Sequence, residues 1–386
     1  MDFSRIELDD EQRAFEAEVR EVFENYWTPD PHALNLDHER PSKELIEQLA
    51  ERGWVHPRSP RSRGGAELDA VRARILDLLQ VEYRVPRFGN DLILSTVRKY
   101  GSDQLRATAL PALESGRASF CLGYSEPDSG SDMAAARTRA VRNGDEWVIN
   151  GAKMFTTYAE IADYVFLLAR TGPVEEKHRS LTMFLVPMDT PGIEVKPISA
   201  MGHVGTNMTF YRDVRVPDGY RLGPVGEGWR VVSEPLATEH GAGEGSELAE
   251  LNGSMGSAFV RTLEEMLELA VEWARTTELE PGVLAIDDPL VRHALAGVLL
   301  DIEVEWNTPS EFGKVTASET LLRDAEMLFD LMAPAGVLAE GADGAVAQGS
   351  AAWARAMAPA TQIYGGTTDI WRNNVGRGSL GLPRGR

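Results

Sequence analysis

The chain carries the stretch FCLGYSEPDSGSD at residues 120–132, where a short apolar run leads into a loop of small polar residues. The apolar run is typical of a β-strand because it is aromatic and aliphatic and turn residues follow it at once. The loop contains several serine hydroxyls and Gly130, and several of its backbone N–H groups are expected to be free. Such a loop can hydrogen-bond a flat heterocycle or a phosphate. By itself it is more often only a turn, so its meaning depends on the surrounding sequence.

Helical patterns lie upstream of this strand. Asp9 and Gln12 resemble a helix capping box, and apolar residues from Phe15 to Tyr26 then recur at helical spacing. Further apolar stripes of the same period continue to about residue 117. We therefore predict an N-terminal helical domain over residues 1–117.

The pattern changes at residue 118. Short apolar runs with β-branched and aromatic residues now alternate with turn pairs, which are Asn143-Gly144, Asn150-Gly151, Pro191-Gly192 and Asp218-Gly219. Short runs separated by such pairs indicate β-hairpins. Helical periodicity returns after residue 228 in four stripes. The sequence predicts an α+β fold, with a middle antiparallel β-domain over 118–228 and a C-terminal four-helix bundle over 229–386.

Composition limits the classes of function. The 386 residues include 60 Asp plus Glu and 39 Lys plus Arg, a net charge of −21, which disfavours nucleic acid and anionic membrane surfaces as partners. The single cysteine, Cys121, excludes an intrachain disulfide, and the seven histidines show no metal-ligand spacing, so we expect no metal site. The first residues lack a secretory pattern and no run of about 18 apolar residues occurs, so we expect a cytoplasmic chain without membrane insertion.

Several motifs fall in one order along the chain. They are YSEPDSGSD at 124–132, NGAKMFTT at 150–157, VRVP at 214–217, LGPVGEGW at 222–229 and QIYGGTTDIWR at 362–372. In this order and spacing the chain resembles the acyl-CoA dehydrogenase family of flavoproteins. The resemblance covers essentially the whole chain and is most specific in the β-domain.

The resemblance implies bound FAD and an acyl-CoA substrate. Its positions for the flavin ring are Leu122, Tyr124, Ser125, Phe155 and Thr157, with Phe155 in place of a residue that is usually Trp. The resemblance also implies that Gly130 and Ser131 lie near the flavin and the CoA phosphates. It implies that Thr367 and Asp369 contact the adenosine half of FAD. Ser131 and Gly365 would contact the substrate. A helix N-terminus at Thr367 would suit a pyrophosphate.

The family reaction needs a carboxylate that removes the substrate α-proton. Many members carry a glutamate directly after the tyrosine of the closing motif, but here that position is Gly365. Other members carry the base on the first helix after the β-domain, and that position matches Glu239, followed by His240 where the family usually has Arg. Glu244 and Glu247 are rival bases, and the chain also allows the reading that it supplies no base.

Two further departures concern FAD contacts between subunits. The family's Arg-x-x-Phe-Gly motif keeps only Arg275, and its Gly-Gly-x-Gly turn has become residues 333–336, Ala-Pro-Ala-Gly. In both changes the chain resembles certain actinobacterial dehydrogenases that work as α2β2 heterotetramers. We expect a homo- or hetero-oligomer, with a dimer of dimers favoured, and an electron-transfer flavoprotein or similar acceptor as redox partner.

Three functions remain open at this point. The favoured one is α,β-desaturation of an acyl-CoA thioester by α-proton abstraction and β-hydride transfer to flavin N5. The second is a non-catalytic partner subunit of a heteromeric dehydrogenase. The third is a flavin oxidase or monooxygenase on the same fold. The acyl group is not specified by any motif.

Overall fold

The computed structural model describes residues 8–28, 42–85, 91–202, 205–239, 256–339 and 341–383. These residues divide into two compact units. The first contains the described residues up to 198 together with 205–236, and the second contains 199–202 and the described residues from 237 onward. The N-terminal helices and the sheet thus belong to one unit. The three-domain boundaries predicted above stay a prediction.

Six helices precede the sheet in the described part of the first unit. They are α1 (Asp10–Tyr26), α2 (Lys43–Glu51), α3 (Ala70–Glu82), α4 (Asp91–Tyr100), α5 (Asp103–Thr108) and α6 (Leu110–Glu114). The capping box is present, because the Gln12 N–H donates to Asp9 Oδ1 at 2.8 Å and the Asp9 N–H donates to Gln12 Oε1 at 3.0 Å. Val19, Val22 and Phe23 form the buried stripe of α1, as the sequence predicts.

The middle of the chain forms an eight-stranded sheet in the order β6-β7-β3-β2-β4-β5-β8, with β1 paired to β4. The strands are β1 (Phe120–Gly123), β2 (Arg139–Asn143), β3 (Glu146–Lys153), β4 (Tyr164–Arg170), β5 (Leu181–Pro187), β6 (Ile193–Pro197), β7 (Asn207–Pro217) and β8 (Arg221–Leu222). The pairs are antiparallel except that β1 lies parallel to β4 and one residue pair joins β2 and β4 in parallel.

Strands β4 and β5 are buried on both faces, which explains their unbroken apolar sequences. Phe166 and Leu168 pack with apolar residues of α4, α5 and α6 on one face. Val165 and Leu167 pack with Trp147 on the other.

One predicted turn is wrong. Asn143-Gly144 does join β2 to β3, but Asn150-Gly151 lies inside β3, at a point where the register with β7 shifts. Gly151 has φ of +152°, and a Cβ there would lie 2.6 Å from the Cα of Thr138. The glycine therefore serves a bulge and a close backbone approach rather than a hairpin turn.

Helix α7 (Gly228–Glu239) follows the sheet, and the second unit is mainly helical. Its elements are α8 (Ser257–Thr276), the hairpin β9 (Glu278–Glu280) and β10 (Val283–Leu284), α9 (Pro289–Trp306), α10 (Ser310–Leu331), α11 (Ser350–Thr361) and α12 (Thr368–Gly378). Helices α8 to α11 are the four predicted stripes, and they share one buried apolar cluster. The predicted order of helices, sheet and helices is confirmed. No helix within the described ranges has both the length and the apolarity to span a bilayer.

Candidate functional site

The loop after β1 forms a tight turn. The Glu126 N–H donates to the Ser129 carbonyl at 2.7 Å, and the Ser129 N–H donates back to the Glu126 carbonyl at 3.1 Å. Gly130 and Ser131 are exposed at its tip, and a Cβ at Gly130 would meet no described atom within 4 Å. The tip is therefore open to a ligand.

The segment after β3 lies against this loop. The Met154 N–H donates to the Ser125 carbonyl at 2.8 Å, so the loop and the segment 154–157 are joined by backbone. Phe155 has φ of +58° and its side chain is 57% exposed. A bulky residue in the left-handed region carries strain, and such residues cluster at ligand sites. The hydrogen bond from the Thr156 N–H to the Asn207 carbonyl, at 2.9 Å, helps to hold the segment in place.

Three buried hydroxyls in this unit lack a hydrogen-bond partner within the described part of the chain: those of Ser129, Thr156 and Thr206. A buried polar atom without a partner is costly, so each is a candidate for binding water or a polar ligand. No local pattern distinguishes these three, because hydroxyl residues in turns are common and only burial sets them apart.

The structure brings part of the predicted flavin set together. Leu122, Tyr124 and Ser125 lie at the end of β1, next to the segment that carries Phe155 and Thr157. The Tyr124 ring meets Phe166 of β4 edge-on, with centroids 6.0 Å apart. An exposed aromatic side chain, an open polar tip and unpaired buried hydroxyls fit a flat, polar heterocycle such as a flavin.

The predicted positions for the adenosine half lie in the second unit, at the start of α12. Thr367 caps this helix, with its Oγ1 accepting from the Ile370 N–H at 3.3 Å, and Asp369 lies in the exposed first turn. Gly365 and Gly366 precede the cap with φ of +65° and +87°. Glycine suits these left-handed positions, where a side chain would be strained.

Arg275 is exposed in the last turn of α8. The β9–β10 hairpin follows it directly and was not predicted. Its signal was the pair Pro281-Gly282, where Gly282 has φ of +78°.

The predicted base is described only in part. Glu239 is the last residue of α7, but its side chain lies outside the described atoms. His240, Glu244 and Glu247 lie outside the described residues. The assignment of the base therefore stays a prediction.

Both units also contain buried charged side chains that were not predicted. Lys153 and Glu126 form an ion pair of 2.8 Å in which Lys153 is fully buried. In the second unit the buried Lys314 donates to the carbonyls of Thr361 and Tyr364. No signal in the sequence separates these lysines from solvated ones. Burial raises the pKa of the Cys121 thiol to about 12, so this cysteine is not a nucleophile at neutral pH.

Two family models and several known proteins are similar in sequence to this chain. The family model "Acyl-CoA dehydrogenase, N-terminal domain" matches residues 9–117, and "Acyl-CoA dehydrogenase, middle domain" matches residues 121–214. The acyl-CoA dehydrogenase IpdE1 of Mycobacterium tuberculosis is 31% identical over 78% of this chain and 76% of its own length. The chain belongs to the acyl-CoA dehydrogenase family. It is thus one of a family of flavoprotein oxidoreductases that act on CH–CH bonds.

Two further relatives span almost the whole of this dehydrogenase. Acyl-CoA dehydrogenase FadE26 of Mycobacterium tuberculosis is 29% identical over 98% of the chain and 99% of its own length. The crystal structure of the ChsE4-ChsE5 complex from Mycobacterium tuberculosis matches with a TM-score of 0.78 and 29% identity, over 99% of this chain and 100% of that one. The similarity extends through the C-terminal helices, beyond residue 214, where the matched family models end.

Proposed function

We propose that this chain is an FAD-dependent dehydrogenase that introduces an α,β double bond into an acyl-CoA thioester. The observation that carries the proposal is the exposed, strained Phe155, joined through Met154 to the loop that presents Ser125 and Gly130. FAD, when bound, would supply the acceptor for the β-hydride. Residues Leu122, Tyr124, Ser125, Phe155 and Thr157 would hold its ring, and Arg275, Thr367 and Asp369 would serve its pyrophosphate and adenosine half.

Removal of the α-proton needs a carboxylate, and we place it on this chain. Gly365 has no side chain, so we assign α-proton removal to Glu239, with Glu244 and Glu247 as rivals. Gly130, Ser131 and Gly365 would contact the acyl-CoA. Reoxidation would pass to an electron-transfer flavoprotein or a similar acceptor.

The test uses the purified protein under anaerobic conditions. We expect a yellow protein whose flavin absorbance is lost on addition of one of a panel of thioesters: butyryl-CoA, isovaleryl-CoA and a steroid side-chain CoA. The last is included because solved neighbours of this chain are named as steroid enzymes. A yellow protein that no thioester bleaches would overturn the dehydrogenase assignment, and rapid oxygen consumption after bleaching would favour an oxidase or monooxygenase.

Gly365 favours one alternative, a non-catalytic partner subunit. A glycine at this position carries no side chain that could act as the base where many family members have a glutamate. A protein that is colourless alone and becomes yellow only when it is co-expressed with a sister chain would support this alternative.

We also expect an oligomer, either a dimer or a dimer of dimers. Helix α9 exposes a set of large apolar side chains, which are Leu290, Leu299, Leu300, Val304 and Trp306. Apolar surface of this extent on one helix is typical of an interface. In sedimentation at micromolar concentration, the double change Leu299→Asp with Leu300→Asp should lower the mass of the particle, whereas Val174→Asp in the first unit should not. A wild-type monomer would contradict the prediction.

A further inference from the structure

A buried polar network lies under the loop 124–138, the segment that runs from the end of β1 to the start of β2. Lys153 of β3 is fully buried, and its Nζ lies 2.8 Å from Glu126 Oε1 and donates to the Tyr124 carbonyl at 3.1 Å. The Glu126 carboxylate also accepts the N–H groups of Arg137, at 2.6 Å, and Thr138, at 2.9 Å. One ion pair thus links both ends of the loop.

A second buried cation holds the same loop from β4. Arg170 donates from Nε to the Ala136 carbonyl at 2.7 Å and from Nη2 to the Ala134 carbonyl at 2.6 Å. Its third contact is the Ser180 hydroxyl. Between these anchors most of the tip, residues 127–132, remains exposed, with Ser129 buried.

Stability alone does not explain the ion pair. Removing two charges from water is costly, and an apolar pair of similar volume often stabilises a protein equally well. Burial lowers the pKa of Lys153 to about 8. Burial would raise the pKa of Glu126, but the charge of Lys153 and the hydrogen bonds to the carboxylate lower it overall. The ion pair contacts the loop backbone at Tyr124, Arg137 and Thr138, so its particular contribution is the geometry of that backbone.

We propose that Glu126 and Lys153 are positioning residues that fix the backbone of Tyr124 and Ser125 and thereby set the affinity for flavin. Through Tyr124 the ion pair determines where the loop meets the segment 154–157. The inference rests on the proposed function, because it assumes that this loop holds the flavin ring.

The experiment compares Lys153→Met, Glu126→Gln and the double variant with the wild-type holoprotein. Each single change leaves one partner buried without its counterpart, so both single variants should unfold at a lower urea concentration than the wild type. The double change removes both charges and should regain much of that stability. We expect the double variant to bind FAD at least about tenfold more weakly than the wild type, equivalent to about 1.4 kcal/mol, and to show a shifted absorbance spectrum of the bound flavin.

The matched control is the exposed pair Lys196 and Glu194 of β6, whose separation is also 2.8 Å. The double change Lys196→Met with Glu194→Gln should leave flavin affinity and spectrum unchanged. If the double variant folds and has the wild-type affinity for FAD and the wild-type flavin spectrum, the proposal is overturned. Failure of all three variants to fold would also overturn it, because the pair would then act on stability.

A second measurement separates this inference from the proposed function. Hydrogen exchange at residues 124–131 should rise in the double variant and not in the control, whether or not flavin is present. A wild-type protein that never binds flavin would refute the proposed function, while unchanged exchange in the double variant would refute the positioning role itself.

Discussion

Replacing Glu239 with glutamine is expected to abolish substrate-driven bleaching of the flavin while leaving flavin and acyl-CoA bound. Glutamine keeps the size and polarity of the side chain but cannot accept a proton at neutral pH. Loss of a general base typically lowers the rate by about 10²-fold to 10⁴-fold. The rate of anaerobic bleaching by acyl-CoA measures the effect directly, and the intact flavin spectrum before mixing shows that the cofactor site is preserved.

The matched changes for this prediction are Glu244→Gln and Glu247→Gln. If Glu239 is the base, both should bleach at close to the wild-type rate. Near-wild-type bleaching by Glu239→Gln would move the assignment to whichever of the other two variants is slow. If all three were active, a partner chain would have to supply the base, and the heteromeric alternative would gain support.

The second large effect is expected at Lys314, in the helical unit. This side chain is 1% exposed, and its Nζ lies 4.8 Å from the ring centroids of both Phe259 and Tyr364. It donates to the Thr361 carbonyl and, at 2.8 Å, to the Tyr364 carbonyl. Thr361 is the last residue of α11, and Tyr364 lies directly before the Gly365-Gly366 turn. The ammonium therefore neutralises a helix C-terminus and fixes the backbone that leads into α12.

Lys314→Met is expected to lower the free energy of unfolding by about 2–4 kcal/mol, because two carbonyls lose their donor and one of the two hydrogen bonds is only partly buried. Methionine keeps the length of the side chain, but the two carbonyls lose a charged donor, and an unpaired buried acceptor costs about 1–3 kcal/mol. Urea denaturation followed by circular dichroism measures the change. The control is Arg355→Met, which removes a partly exposed cation that lies 3.2 Å from Glu326 and should change stability by about 1 kcal/mol or less. If both variants lost the same free energy of unfolding, the buried hydrogen bonds of Lys314 would contribute no more to stability than the ion pair of Arg355.

Local patterns were sufficient for the order of the fold. The capping box at Asp9, the helical stripes and the Asn143-Gly144 hairpin depend on residues within a few positions of one another, so the sequence shows them directly. The family was also readable, because its loop and turn motifs are contiguous. The prediction of a turn at Asn150-Gly151 was wrong for the converse reason. The glycine is required by the close approach of Thr138, directly before the neighbouring strand β2, and no local pattern shows that contact.

By itself, then, the sequence determined the succession of helices and strands, the family, and the positions at which a flavin is expected. Only the tertiary structure decided which polar groups are buried. Glu126 lies in a recognisable motif, yet it pairs with Lys153, 27 residues away, only because strand β3 packs against the loop. In the same way, Arg170 donates to the carbonyls of Ala134 and Ala136 only because strand β4 lies beside the loop. The energy of a charge depends on its solvent and its neighbours, and folding sets both by bringing distant residues together.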